Sequence, residues 1–111
     1  MYTPWGKSDY MEKVVRGIIW YGTPSHGGLH VSPKVNAQIH KAWRHADGWY
    51  EEDLAWAIVA FHFPNLFPNY LPALSILMDW YPDEYMQVTG EALSDKDSHK
   101  LMERKRRESM E

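Results

Sequence analysis

Apolar and polar positions along this chain pass from a two-residue period to a helical one and end in a charged stretch with few large apolar residues. Residues 1 to 13 mix polar and aromatic side chains around Pro4 and Gly6 and read as irregular or briefly helical. From Val14 to Tyr21 the run is β-branched and aromatic, which predicts a strand. Gly28 to Ser32 alternates, with Leu29 and Val31 opposed to His30, and predicts a second strand. Between them Gly22-Thr23-Pro24-Ser25-His26-Gly27 supplies turn residues, so the two strands are expected to pair as a hairpin.

Helical periodicity begins at Ser32-Pro33, an N-cap serine followed by proline at the first helical position. Val35, Ile39, Ala42 and Trp43 then share one face, and the helix should run until Asp47-Gly48. A second helix is predicted from Tyr50, with Glu51, Glu52 and Asp53 in its first turn and an apolar body from Leu54 to Phe61. Because that body is apolar almost all round, it should be the buried centre of the fold. A third helix is expected within residues 69–80, facing the core with Leu71, Leu74, Leu77 and Met78. Pro82 opens a short helical turn closed by Gly90, and Ser94 with Asp97 makes a capping-box pattern before a charged helix in which Glu103 and Arg107 are spaced to pair. The fold class is therefore α+β: a small β-hairpin or sheet packed on three or four helices in a single domain. Residues 1–93 form the compact part and residues 94–111 a charged C-terminal helix or tail.

Composition narrows the classes of function. A chain of 111 residues is one domain by size, and 44% hydrophobic content is enough for a core. The net charge of −3 gives no general attraction to nucleic acid or anionic membrane. The basic run Arg104 to Arg107 is flanked by Glu103 and Glu108 and reads as a solvated helix face. With no cysteine, disulfides and thiolate metal sites are excluded, as suits a reducing cytoplasm. No signal-peptide pattern opens the chain, and the apolar run from Leu54 to Phe63 is too short to span a bilayer. A cytoplasmic location in a host cell is expected. Six Trp and seven Tyr are many for this length: most should fill the core, and a surplus would form a contact patch.

Candidate chemistry concentrates in two places. The first is Thr23, Ser25, His26, Gly27 and Gly28, where a titratable imidazole, two hydroxyls and flexible backbone meet in one short loop. The simpler reading is a turn whose glycines supply positive φ. The loop has neither the lysine of a Walker phosphate loop nor the GxGxxG spacing of a dinucleotide site, so no cofactor is expected. The second place is Trp49, Tyr50, Glu51 and Glu52, an aromatic–acidic cluster that could engage a partner or orient His26. Neither His-x-x-x-His nor Glu-x-x-His spacing sets two ligands on one helix face, so no metal site is expected. His62 reads as a core histidine bonded to a backbone carbonyl, while His40, His45 and His99 sit among polar residues and should face water.

Three segments, Gly22-Thr-Pro-Ser-His-Gly-Gly28, Gly48-Trp-Tyr-Glu-Glu-Asp53 and Asp79-Trp-Tyr-Pro-Asp-Glu-Tyr85, resemble a family of small proteins and domains of unknown function found in bacteriophages and proteobacterial mobile elements. Trp5-Gly6, Phe63-Pro64 and Thr89-Gly90 fit the same pattern, so the resemblance runs from about Trp5 to Gly90. It implies an accessory protein of a phage or mobile element that binds a host protein and disables it, a host defence system among the candidates. The alternative is a small enzyme or nucleotide-binding protein using the loop around His26. The first of these two readings needs no catalysis and is the expected one.

Overall fold

The computed structural model describes residues 1–68 and 70–110. The chain opens with a two-stranded hairpin, β1 (Tyr2–Thr3) and β2 (Gly6–Lys7). Four further strands, β3 (Tyr10–Val15), β4 (Ile18–Gly22), β5 (Gly27–Val31) and β6 (Trp49–Glu51), form one antiparallel sheet in that order. The helices are α1 (Pro33–Asn36), α2 (Trp56–His62), α3 (Tyr70–Trp80), α4 (Pro82–Thr89) and α5 (His99–Met110). The fold is α+β in a single small domain. Among the described residues no helix is long and apolar enough to cross a membrane.

The hairpin expected around the Gly22–Gly27 turn is present, with Ile18 opposite Val31 and Trp20 opposite Leu29. What precedes it differs from expectation. The apolar run from Val14 to Tyr21 is two strands, because Gly17 takes φ +92° and turns the chain back on itself. The segment before it, expected to be irregular, supplies most of edge strand β3. One sheet face, carrying Ile18, Leu29, Val31 and Tyr50, packs on α2, whose residues Ala57 to Ala60 are wholly enclosed. The expected central helix is there, shortened at its start.

Two expected helices differ from the sequence reading, one at its end and one at its start. Ser32 caps α1 as expected, its Oγ accepting from the Val35 N–H at 3.3 Å, but the helix ends after one turn. Short turns follow, in which the Gln38 and Ile39 amides donate to Val35 and Asn36 three residues back. The His40 N–H goes instead to the side chain of His62, and the Arg44 guanidinium takes up the Ile39 carbonyl. Ile39 and Trp43 still reach the core, from turns rather than from a helix face. Trp49-Tyr50-Glu51 is not a helix start but strand β6, paired with His30, Leu29 and Gly28. Glu51 then accepts from the backbone N–H groups of Asp53, Leu54 (2.9 Å) and Ala55 (2.7 Å), so its carboxylate does cover orphan amides, ahead of α2.

The remaining helices lie close to expectation. The helix expected within residues 69–80 is α3, with residue 69 outside the described residues. Ala73 and Leu77 are its buried pair, whereas Leu71 is 73% exposed rather than core-facing. Gly90 closes α4 with φ +79° and donates its N–H to the Met86 carbonyl. Ser94 and Asp97 bond each other in a turn, and the N-cap of α5 is Ser98, whose Oγ accepts from Leu101 N–H. Ser98 also donates to the Asp79 carbonyl and the His99 N–H donates to the Asp79 carboxylate, docking α5 on the end of α3. Glu103 pairs with Arg106 rather than Arg107.

Candidate functional site

The turn that joins β4 to β5 is built by Thr23. Its hydroxyl donates to the His26 carbonyl (2.7 Å) and accepts from the His26 N–H (3.1 Å), while its own N–H donates to the same carbonyl. This closure consumes the Thr23 side chain and leaves Pro24, Ser25 and His26 exposed at the tip. The glycines beside the turn have a different purpose from the one read in the sequence. None of Gly22, Gly27 and Gly28 adopts positive φ. A methyl group at Gly28 would lie 2.3 Å from Trp5 Cη2 and 2.7 Å from the Tyr50 carbonyl oxygen. At Gly27 it would lie 2.8 Å from Trp20 Cζ2. These glycines are present because two indole rings lie against the strand, and they are buried rather than displayed.

His26 does meet an acid. Glu52 Oε1 lies 3.7 Å from His26 Nδ1, an ion pair when the imidazole carries a proton, and both side chains are partly open to water. The acid beside the imidazole is therefore Glu52, and Glu51 is engaged at the backbone of residues 53–55. Open recesses flank this pair. One, of about 330 Å³, lies between Trp20, Ser25, His26 and Glu52. Another of similar size lies between Trp5, His26, Glu51 and Leu54. A third, of about 340 Å³, continues from Trp20 and Glu52 over Leu29 to Trp56 and Phe67.

The other sequence candidates are placed as follows. Tyr50 lies in the core, 0% exposed, its hydroxyl donating to Asn36 Oδ1 (2.6 Å) and accepting from His45 N–H (3.0 Å). Burial raises its pKa, as expected of a phenol held as a neutral donor. Trp49 is half-buried on the opposite sheet face, in an aromatic cluster with Trp5, Tyr21 and His30. His30 is pushed below the ordinary histidine range by burial, with Asp47 opposing the shift. The structure thus brings Ser25, His26 and Glu52 together at one surface and assigns Tyr50, Gly27 and Gly28 to packing.

His62 behaves differently from expectation. Its Nε2 accepts from the Trp43 indole N–H (3.1 Å) and the His40 backbone N–H (3.2 Å), where a backbone carbonyl was expected as partner. Two donors aimed at one nitrogen require it to be unprotonated, and burial, then His40 and Arg44, hold the pKa below the usual histidine range. His40 and His45 are half-buried rather than solvated. His40 Nδ1 accepts from Ala42 N–H, and His45 Nδ1 donates to the Trp49 carbonyl. Among the described residues no three His, Asp or Glu side chains converge on a point that could hold a metal ion.

The model of a family described as Domain of unknown function (DUF7007) matches residues 1–110. The chain belongs to the DUF7007 family. No curated protein and no solved structure matches it. The match takes in all three segments that carried the sequence resemblance and extends through the charged helix α5. In this DUF7007 domain the side chains around the His26–Glu52 corner that sequence reasoning passed over are Trp5, Trp20, Trp56 and Phe67. Their signal was the surplus of tryptophan, which says that some aromatic surface is spare but not which. Trp20, Trp56 and Phe67 wall a recess on the α2 face of the sheet, and Trp5 lies on the other face against Gly28 and Trp49, an arrangement set by the sheet register, α2 and the hairpin β1–β2.

Proposed function

We propose that this domain works by stoichiometric binding to another protein, through the edge formed by the β4–β5 turn, Glu52 and the partly open rings of Trp5, Trp20 and Trp56. The observation that carries the reading is the continuity of the recesses there: aromatic walls on either side of an exposed acid–imidazole pair. Tryptophan is enriched among the residues that carry the energy of protein contacts, and partly open indoles beside polar groups suit such a patch. The sequence resemblance adds the setting, an accessory protein of a phage or mobile element acting in the host cytoplasm. The partner is then a host factor, with defence systems the first class to test.

A second reading is supported by the 3.7 Å approach of Glu52 to His26, the arrangement in which a carboxylate orients an imidazole for acid–base work or anion binding. Against it, Thr23 is spent within the turn and Gly27 and Gly28 lie beneath indole rings, so the loop offers little backbone to a phosphate. Affinity capture from host lysate with the parent domain, a His26→Ala copy and a Trp20→Ala copy separates the two. A protein partner kept by His26→Ala and lost with Trp20→Ala is the expected result. A small molecule released from the parent and absent from His26→Ala, with no protein retained by either, would overturn it in favour of the site chemistry.

A further inference from the structure

The recess between Trp20, Leu29, Glu52, Trp56 and Phe67 has a composition that the binding reading does not by itself explain. Its volume of about 340 Å³ is at the small end of the roughly 300–1,000 Å³ usual for ligand sites, ample for one long side chain and small for a large cofactor. Leu29, 2% exposed, makes the floor. The ring of Trp20 is set in place against Gly27, Trp56 stands at the first turn of α2, and Phe67 follows the 3-10 turn Pro64–Leu66. All three rings are only partly buried. The one charged group on the lining is the Glu52 carboxylate, at the border with the His26 recess.

We infer that this recess receives a lysine side chain of the protein partner, with the aliphatic stem between the rings and the ammonium at Glu52; the inference rests on the reading of the domain as a protein-binding module. Aromatic faces attract a cation through their quadrupoles, most strongly for tryptophan. Lysine also brings the apolar stem that such walls favour. A cation entering a partly dehydrated recess needs a counter-charge, and Glu52 provides one. Guanidinium also stacks on aromatic faces and is the competing cation, but its fork seeks both carboxylate oxygens at once, and His26 Nδ1 already stands 3.7 Å from Oε1, whereas an ammonium needs one oxygen. The net charge of −3 favours approach of a basic surface.

The test is a two-dimensional NMR titration of the full chain with lysine blocked at both ends (N-acetyl, N′-methylamide), with blocked norleucine and blocked arginine as comparisons. Blocked lysine should move the indole N–H signals of Trp20 and Trp56 saturably, and blocked norleucine should bind at least about fivefold more weakly. Glu52→Gln, a substitution of a solvent-accessible side chain, should weaken lysine by a similar factor and leave the remaining spectrum in place. Equal binding of norleucine, tighter binding of arginine, or an unchanged titration in Glu52→Gln would each overturn the assignment. Capture of a protein partner that is indifferent to Glu52→Gln would overturn the lysine receptor alone. Saturable lysine binding with no partner captured would support the receptor and count against the host-partner reading.

Discussion

At the residue scale, the glycines and histidines changed meaning most between sequence and structure. Gly28 reads as turn flexibility, yet what it supplies is space, since Trp5 and the Tyr50 carbonyl occupy the position of its absent side chain. Gly28→Ala should therefore destabilise the domain by about 1–3 kcal/mol in urea unfolding. Gly27→Ala should cost less, because its closest neighbour is the edge of the half-buried Trp20 ring. His62 sets a pH dependence whose sign follows from its two donors. Burial lowers its folded pKa, so the unfolded chain takes the proton first as pH falls past about 6.5. Stability from this group is complete above that pH and declines below it, and His30, shifted the same way, adds to the slope. Unfolding free energies measured from pH 7.5 down to 5 should fall with pH in the parent and fall less steeply in His62→Gln. None of this was legible beforehand, because periodicity marks His62 as buried without saying whether its partners donate or accept.

Elements were legible where a local signal and the tertiary demand agreed. The β4–β5 hairpin, the αL closure of α4 by Gly90 and the buried apolar body of α2 follow from alternation, turn residues and all-round apolar character. Errors arose where one local pattern admits two outcomes. The run Val14–Tyr21 reads as one strand unless Gly17 turns, and Trp49-Tyr50-Glu51 suits a strand as well as a helix start. An open edge of β5 decides the second case, since pairing there satisfies backbone groups and puts Tyr50 in the core. The short α1 has the same kind of cause, with His62 drawing the His40 amide away from helical bonding. Position within α2 and its lead-in predicts unequal costs of truncation. Ile58→Ala should lose about 2–5 kcal/mol, whereas Leu54→Ala, half-buried ahead of the helix, should lose closer to about 1 kcal/mol by the same unfolding assay.

For the whole molecule, burial is graded from α2 outward. Ala57 to Ala60 are fully enclosed between the sheet and α3, while α5 is held mainly by Ser98, Asp79 and the exposed Arg104–Asp83 pair. Exposed ion pairs add little, so α5 and the β1–β2 hairpin should open well below the global unfolding energy. Hydrogen exchange read by mass spectrometry should show amides of α2 and β5 exchanging slowest and those of residues 99–110 fastest among the helices; uniform protection would contradict this gradient. The sequence alone determined the fold class, the single domain, the central apolar helix, the turn that presents His26 and the excess of aromatic residues, because each is set by local patterning or by counting. The tertiary structure decided that Glu52 meets His26, that Glu51 covers backbone amides, that glycines make room for Trp5 and Trp20 on opposite sheet faces, and that Trp20, Trp56 and Phe67 wall one recess. These depend on strand register and on contacts between residues far apart in the chain, which no window of sequence contains.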